Sequence, residues 1–401
     1  MQNDDENLVD EIQRAEAEAD HPAQPTVDPD EFYRNNAFRV VYQTNNFLLP
    51  QIADLIKSRK VINIRPEYQR RLRWSNKQKS RLIESLLLNV PIPPVFFYES
   101  SPAEYEVMDG QQRLNAIKEF LNNEFKLTGL TVLWPLNGLN FASLPPRVSR
   151  ALRRPAVSAI TLLLESDEEV TGRGISYSDI RRFIFDRLNT GGKPLNAQEL
   201  RNAIFPGRFN ELLIDIARNE LFTGVWGIPP YTEADPNDYY ENPRRQRNRL
   251  YSTMGDCEIV LRYFALNDDV FIKGSMRNIL DDCMRRNQDI TSEQASKMKD
   301  AYLGRLALAV ETFGGGPFEL PNEDGKYRRS IALQDAVMIA NDKLWKERAK
   351  LRAAGDKIQN NLDILAADED AGPILTGQGN TATAIKARLT LVRRVFREAI
   401  R

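Results

Sequence analysis

Histidine is nearly missing from this sequence: His21 is the single example among 401 residues. It lies in an acidic leading segment, so the body of the chain has no imidazole to act as a general base or a metal ligand. That absence excludes a serine-hydrolase triad, a cysteine–histidine dyad, a zinc cluster and a ββα-metal nuclease site from the body. Any catalysis there must use carboxylate, amide and guanidinium groups.

Cysteine and long apolar runs are also scarce. Cys257 and Cys283 are the only two cysteines, which argues against a disulfide framework and fits a reducing, cytoplasmic compartment. No run of about 18 apolar residues occurs, so no membrane span is predicted. The N-terminus lacks the basic-then-apolar pattern of a signal peptide. We therefore expect a cytoplasmic globular protein with no membrane partner.

Charge is divided unevenly along the chain. Residues 1–36 hold eleven acidic side chains against Arg14 and Arg34, a net charge of −9. The remaining 365 residues hold 53 basic and 45 acidic side chains, a net charge of +8. Because the leading segment is also poor in apolar residues, we expect residues 1–36 to form an acidic disordered tail. The basic body is compatible with nucleotide or nucleic-acid partners.

Hydrophobic periodicity predicts a mixed domain followed by a helical one. Between about residues 50 and 125 the pattern indicates a β-α-β-β-α unit, and Ser75 with Gln78 forms a capping-box pattern that opens its first long helix. Beyond about residue 205, apolar stripes with a period near 3.6 dominate. We predict an α+β fold, with a mixed domain over residues 37–205 and a mainly α-helical domain over residues 206–401.

The most informative motif is the turn Asp109-Gly110-Gln111-Gln112-Arg113, between a predicted strand and an amphipathic helix. Helix N-termini present backbone N–H groups and a partial positive charge, which favour anions. Gly110 permits close backbone approach to a ligand, Arg113 offers a fork for phosphate oxygens, and Asp109 suits Mg²⁺ or an attacking water. The alternative is a structural Asp-Gly turn with a salt-bridged arginine.

Two further clusters lie before and after this turn. The segment 65–74 is basic and contains Tyr68 and Trp74, so it either contacts phosphates and stacks on a base or covers the core as a solvated loop. The segment 185–195 resembles a phosphate-gripping loop, but its spacing and Pro194 differ from those of a P-loop. Taken alone, the segment 185–195 is better explained as a helix end followed by a turn.

In this order and spacing, the three clusters resemble the N-terminal-domain family of the GmrSD restriction enzymes, within the ParB/sulfiredoxin-like superfamily. The residues that carry the resemblance are Glu67-Tyr68-Gln69-Arg70 with Trp74, Asp109 to Arg113 with a Leu-x-x-Ile-x-x-Phe helix, and Arg187-Leu-Asn-Thr-Gly-Gly-x-x-Leu with Glu199. The resemblance covers about residues 45–265, and Arg249, Glu258 and Arg262 are candidates for its continuation. It implies a small mixed ParB/sulfiredoxin-like sheet with helices.

The resemblance also implies a module that binds ATP or GTP and hydrolyses it with the help of Mg²⁺. Asp109, Gln112 and Arg113 become catalytic candidates, and Asp109 is also the candidate Mg²⁺ ligand. Arg187 is expected to organise the pocket. The implied nucleotide-binding residues come from all three clusters: Gln69, Arg70, Trp74, Gly110, Gln111, Arg187, Asn189, Thr190 and Gly191.

One departure from the family pattern narrows the expected activity. Members that cut DNA join this domain to a histidine-rich HNH nuclease domain, whereas residues 270–401 contain no histidine. We therefore expect a standalone domain that does not cut DNA by HNH chemistry. The sulfiredoxin cysteine is also missing from the turn, so reductase activity is not expected.

The leading hypothesis is an NTPase that serves bacterial or phage DNA restriction, modification or anti-phage defence. Such hydrolysis needs positioning and charge neutralisation more than a strong base. The alternative is a non-catalytic, nucleotide-sensing module that binds DNA or a partner and recruits a separate nuclease or DNA-modifying enzyme. The basic amphipathic helix from Ile385 to Arg401 either binds nucleic acid or an acidic partner, or packs with one solvated face. Direct DNA nicking by the ParB-like domain is a weaker third hypothesis.

Overall fold

A computed structural model of the chain describes residues 2–17, 28, 30, 41–57, 61–64, 74–163, 183–185, 187–188, 195–230, 242–314, 316–321 and 325–401. The chain divides into two compact units. The sheet unit comprises Pro25–Leu195, and the helical unit comprises Met1–Gln24 with Asn196–Arg401. The predicted α+β class is confirmed, because a small mixed sheet is followed by a helical region.

The first helix, α1, spans Gln2–Ala17 and belongs to the helical unit. The elements of the sheet unit then follow in chain order. They are β1 Val41–Leu48, α2 Leu49–Lys57, β2 Ile62–Asn63, α3 Asn76–Leu87, β3 Val95–Ser101, β4 Glu104–Asp109, α4 Gln111–Leu121, α5 Pro146–Ala151 and β5 Ala156–Leu163. Two short 3₁₀ turns, Trp134–Leu136 and Phe141–Ser143, lie between α4 and α5.

The five strands of the sheet unit form one mixed sheet in the order β1-β5-β3-β4-β2. Strands β1 and β5 are antiparallel, β5 and β3 parallel, β3 and β4 antiparallel, and β4 and β2 parallel.

Helices α3 and α4 of this unit have the cap and the buried apolar faces that their sequences predict. The predicted capping box of Ser75 and Gln78 is present at the start of α3. The apolar faces of α3 and α4 are buried in the core through Leu82, Ile83, Leu86, Leu114, Ile117 and Phe120.

The helical unit contains the remaining helices and one small hairpin. Its elements are α6 Ala197–Ile204, α7 Arg208–Ala217, α8 Glu220–Trp226, α9 Pro243–Arg247, α10 Arg249–Ser252, α11 Gly255–Leu266, α12 Met276–Arg286, α13 Ser292–Phe313, β6 Glu319–Pro321, β7 Tyr327–Arg329, α14 Ile331–Lys343, α15 Arg348–Ala353, α16 Gly355–Ala366, α17 Ala371–Thr376 and α18 Ala382–Ala399. Cys257 and Cys283 are both buried and form no disulfide, as the sequence predicted. Among the described helices, none is both long and apolar enough to cross a membrane.

The expectation of an acidic disordered tail over residues 1–36 is wrong for residues 2–17, which form α1. The helix buries an apolar stripe of Leu8, Val9, Ile12 and Ala15 in the helical unit. Two of its acids are also withdrawn from water. Glu16 forms an ion pair of 2.5 Å with Arg201, and the Glu11 carboxylate accepts hydrogen bonds at the start of α14. The acidic composition alone predicts disorder here. The tertiary partners of Glu11 and Glu16 cannot be identified from the local sequence.

The division of the chain also differs from the predicted boundary at residue 205. Helix α6 belongs to the helical unit, and the sheet unit ends at Leu195. Asn196 caps α6 through a capping box with Glu199. The Asn196 side chain also donates a hydrogen bond of 2.8 Å to the backbone carbonyl of Thr253, within the helical unit. This tertiary contact has no signature in the local sequence pattern.

The C-terminal basic helix α18 is packed on one side. Its apolar side chains Leu389, Val392, Val395 and Phe396 are buried, and so is Arg388. Arg394 and Arg397 are exposed on the opposite face. The helix therefore has the packed arrangement that the sequence left open, with a solvated basic face.

Candidate functional site

The turn at residues 109–113 connects β4 to α4 at the edge of the core. Asp109 is the last residue of β4 and pairs with Phe96 of β3. Gly110 is the N-cap residue of α4 and has φ +93°, a conformation that favours glycine. A Cβ at this position would lie 2.9 Å from the Cβ of Val95 and overlap that side chain. The turn therefore requires glycine both for its backbone conformation and for its packing.

Asp109 and Arg113 form an ion pair across the first turn of α4. The Arg113 Nη2 atom donates to Oδ2 of Asp109 at 2.5 Å. Arg113 Nη1 donates to the backbone carbonyls of Pro93 and, at 3.0 Å, of Pro94. The Arg113 side chain is 12% exposed and that of Asp109 is 34% exposed. Arg113 thus ties the aspartate to the segment before β3, while the carboxylate stays accessible to solvent.

The two glutamines of the turn lie in different surroundings. Gln111 is buried, whereas Gln112 is half-buried. The Gln112 side chain accepts a hydrogen bond of 3.1 Å from the backbone N–H of Trp74, the residue before the Ser75 cap of α3. Gln112 therefore joins the turn to the end of the basic segment 65–74. Its predicted catalytic role stays a prediction.

The chemistry of this turn suits an anionic ligand. Gly110 has no side chain with which to cap α4, so the first-turn backbone is oriented by the fold and not by a capping side chain. A helix N-terminus attracts phosphate through its N–H groups and dipole. Among the described residues there is no group of three or more acidic, cysteine or histidine side chains that would hold a metal ion. A single carboxylate with substrate phosphates is nevertheless an ordinary Mg²⁺ environment.

The other predicted site residues are described only in part. Gln69 and Arg70 of the second cluster lie outside the described residues, and so do Asn189, Thr190 and Gly191 of the third. Trp74 is half-buried and contacts the turn through its backbone N–H. Arg187 is exposed, and its guanidinium lies 5.0 Å from the centre of the Phe183 ring. The structure thus connects Trp74 to the turn and leaves the assembly of all three clusters a prediction.

The residues that extend the resemblance, Arg249, Glu258 and Arg262, do not form a second open site. Arg249 is 43% exposed and lies 3.5 Å from Glu6 of α1. Glu258 and Arg262 are fully buried, and Arg262 forms an ion pair of 2.6 Å with Asp335. Burial raises the pKa of Glu258 well above its ordinary value, and the neighbouring Glu16 carboxylate adds to this. These groups organise the interior of the helical unit.

Sequence reasoning missed two acceptors of this site, the backbone carbonyls of Pro93 and Pro94. In the sequence, the run Pro91-Ile92-Pro93-Pro94 indicates only a helix stop before β3. Proline lacks an N–H group but keeps its carbonyl, so the run remains able to accept hydrogen bonds. The residue pattern contains no signal for this contact, because it depends on the pairing of β3 with β4.

Comparison with known families gives a match at the same segment. Residues 52–206 match the family model described as the GmrSD restriction endonuclease N-terminal domain, and this range includes the 109–113 turn and both other clusters. The segment is a domain of a restriction-enzyme family. The match confirms the resemblance that the motifs predicted for this segment, and it suggests a role in a restriction system. Comparisons with curated proteins and with solved structures find no match.

Proposed function

We propose that this protein hydrolyses a nucleoside triphosphate, ATP or GTP, at the 109–113 turn and acts in a DNA restriction, modification or anti-phage system. The observation that supports the proposal most strongly is the Asp109 carboxylate, which Arg113 holds in place at the start of α4 while a third of it remains exposed. The family of the domain supports the restriction context. Cleavage of DNA is left to another chain.

In this proposal Asp109 is the group that faces the nucleotide. It would hold Mg²⁺, which supplies charge neutralisation to the phosphate oxygens when bound. The start of α4 would accept the phosphate chain, since its backbone and dipole favour negative charge. Gly110 allows the phosphates to approach the backbone closely. No histidine is needed, because phosphoryl transfer depends mainly on positioning and electrostatic stabilisation.

Arg113 acts in this proposal as a positioning residue. Its guanidinium is already occupied by Asp109 and by the carbonyls of Pro93 and Pro94, and it is 12% exposed. An arginine in this arrangement fixes the carboxylate and cannot reach far toward a substrate. Gln112 joins the turn to Trp74 and so to the basic segment, where Gln69 and Arg70 are proposed nucleotide contacts. Asn189, Thr190 and Gly191 are proposed to complete the pocket.

Phosphate release from a panel of nucleoside triphosphates tests this proposal. The wild-type protein should release phosphate from at least one of them with Mg²⁺, and Asp109→Ala and Arg113→Ala should lose this activity. Asp54→Asn, a change at an exposed aspartate of α2, is the matched control and should keep it. Equal phosphate release by the wild type and both turn variants would overturn the proposal.

A second candidate function is nucleotide-dependent binding of DNA without turnover, in which the chain recruits a nuclease or DNA-modifying enzyme. A basic surface favours it. Residues 125–164 contain no acidic residue, and Arg147, Arg150, Arg153 and Arg154 are all exposed on and just after α5. Within the described residues these four arginines have no ion-pair partner. Unpaired cations of this kind are suited to phosphate backbones.

Fluorescence anisotropy with duplex DNA at increasing salt tests this second function. Replacing the four arginines around α5 by glutamine should weaken binding and lower the slope against log salt by about 0.9 for each phosphate that is no longer neutralised. The matched comparison replaces Arg394 and Arg397 of α18 in the same way and should leave the slope unchanged. DNA affinity that is insensitive to nucleotide and to the α5 changes would contradict the second function.

A further inference from the structure

Strand β1 forms one edge of the sheet, and within the described residues its outer side is unpaired. In the strand order it neighbours only β5, and no other described strand pairs with it. Seven of its eight residues are exposed, including Tyr42 at 61%, Val41 at 41% and Leu48 at 42%. An exposed edge presents a row of backbone donors and acceptors that another strand is able to pair with.

The usual protections of a sheet edge are missing from β1. Its sequence, Val-Tyr-Gln-Thr-Asn-Asn-Phe-Leu, contains no lysine, no other charge and no proline. The pairing with β5 runs without a bulge from Val41 to Leu48, so the strand is regular over its full length. Natural proteins shorten, charge or distort edges that must stay unpaired. The long, regular and uncharged edge of β1 is therefore suited to pairing with a further strand.

The orientation of the backbone amides limits how a partner strand can pair. The Leu48 N–H donates to the side chain of Gln51 at 2.9 Å and not to β5. Because amides alternate in direction along an antiparallel strand, Tyr42, Thr44 and Asn46 also direct their N–H groups away from β5. The open side therefore has three amides available for a partner, and that of Leu48 is already used.

We propose that β1 pairs antiparallel with β1 of a second copy of this chain, with Thr44 on the two-fold axis. This register uses all three outward amides, since Thr44 faces Thr44 and Tyr42 faces Asn46. The register shifted by one pair would place Tyr42 against Leu48, whose N–H is already bonded to Gln51. In that shifted register the Tyr42 carbonyl would lack a donor, whereas the Thr44-centred register gives each of the three outward amides and each facing carbonyl a partner. The two five-stranded sheets become one ten-stranded sheet.

The side chains of β1 are self-complementary in this register. Val41 of one copy faces Phe47 of the other, an aliphatic–aromatic pair of the kind that stabilises sheets. Gln43 faces Asn45, and no charged side chain is brought against another. An isologous two-fold contact needs such a self-complementary surface. The family match begins at residue 52, after β1, so this edge is a feature of the chain outside the matched domain.

The molar mass in solution, measured by light scattering during gel filtration, tests the inference. The wild type should have about twice the chain mass of 45.9 kDa at high concentration and dissociate on dilution. Thr44→Lys places two ammonium groups opposite each other and should give the monomer mass, and Thr44→Glu should do the same. Mixing the two variants should restore the dimer mass, because opposite charges then meet.

The matched control is Asn45→Lys, on the opposite face of the same strand, which faces Gln43 and should leave the dimer intact. A wild-type protein that is monomeric at every concentration overturns the inference, and so does a dimer that Thr44→Lys leaves unchanged. Failure of the mixed variants to associate overturns the Thr44-centred register. Circular dichroism of each variant separates loss of pairing from loss of folding. The test is independent of nucleotide hydrolysis, so an inactive dimer refutes the proposed function and not this inference.

Discussion

Each unit contains an aspartate–arginine ion pair with nearly the same N–O distance, but one pair is partly exposed and the other is buried. In the sheet unit, Asp109 and Arg113 lie 2.5 Å apart with 34% and 12% of their side chains exposed. In the helical unit, Asp335 and Arg262 lie 2.6 Å apart with 0% and 2% exposed. The N–O distance therefore does not distinguish the proposed functional pair, Asp109 with Arg113, from the buried structural pair. The two pairs differ in how much of the aspartate side chain is exposed to solvent.

In the buried pair, Arg262 bonds to both carboxylate oxygens of Asp335. Arg262 Nε lies 3.1 and 3.0 Å from the two carboxylate oxygens of Asp335, and its Nη2 atom lies 2.6 Å from Oδ2. Both carboxylate oxygens are thereby committed to the fold. Arg113 bonds to only one oxygen of Asp109 and uses its other nitrogen on backbone carbonyls. Asp109 is held in place and keeps an accessible side, as a ligand of Mg²⁺ needs.

The largest expected effect comes from breaking the buried pair. Arg262→Ala leaves the Asp335 carboxylate buried without its partner and should destabilise the helical unit by about 3–5 kcal/mol. Hydrogen exchange of the amides in α11, 255–266, reports on that unit alone. Lys297→Ala, which removes the exposed pair with Glu293, is the control and should cost at most about 0.5 kcal/mol. Equal costs for the two changes would contradict the distinction.

A smaller effect is expected at the turn. Gly110→Ala forces a side chain into a positive φ and against Val95, so we expect a loss of about 2–4 kcal/mol in the stability of the sheet unit and a loss of phosphate release. Val95→Ala removes part of the overlap. In denaturant unfolding, the double variant should therefore lose less than the sum of the two single changes. Strict additivity would mean that Val95 does not confine the turn.

The next effect concerns α1. Glu11 accepts hydrogen bonds of 3.1 and 2.7 Å from the backbone N–H groups of Ile331 and Ala332. Glu11→Ala leaves these amides without their acceptor and should cost about 1–3 kcal/mol, measured by unfolding of the helical unit. Glu6→Ala, at an acid that is 58% exposed on the same helix, should cost far less. Indistinguishable variants would show that α1 is not an integral part of the unit.

The smallest expected effect is a change in pH dependence. Burial raises the pKa of Glu258 in the folded protein, so its contribution to stability is complete below its ordinary value of 4.5. That contribution declines as the pH rises toward the raised folded pKa, by at most about 1.4 kcal/mol per pH unit. In the Glu258→Gln variant the side chain stays neutral at every pH. Its free energy of unfolding, measured from pH 4.5 upward, should therefore not show the decline that Glu258 causes in the wild type. The same dependence of unfolding free energy on pH in the variant and the wild type would contradict a raised pKa for Glu258.

Local patterns in the sequence were sufficient for much of the fold. The predicted capping box at Ser75 is present, and boxes of the same spacing begin α6 at Asn196 and α13 at Thr291, since each depends only on residues three apart in the chain. Gly314 ends α13 with a positive φ, a conformation that favours glycine. Periodicity predicted the α+β class, and the resemblance of three motifs predicted the family match over residues 52–206.

What the sequence could not predict depends on long-range contacts. The carbonyls that hold Arg113 come from a proline run 20 residues earlier and are set by the register of β3 with β4. Glu11 and Glu16 are bonded to partners more than 180 residues away, so a composition-based prediction of disorder was wrong for α1. The position of Asp109 at a strand end was predictable, whereas the sequence offers its ion pair with Arg113 only as the structural alternative.

We propose that Asp109 holds Mg²⁺ and that Arg113 positions this carboxylate, and a double-mutant cycle on phosphate release tests both roles most directly. Asp109→Asn should lower the turnover rate by about 10²–10³-fold. Arg113→Ala should lower it by a similar or smaller factor, and the double variant should be no slower than Asp109→Asn alone, since Arg113 acts through the carboxylate. Effects that multiply would contradict the positioning role, and four equal rates would contradict a hydrolytic site at this turn.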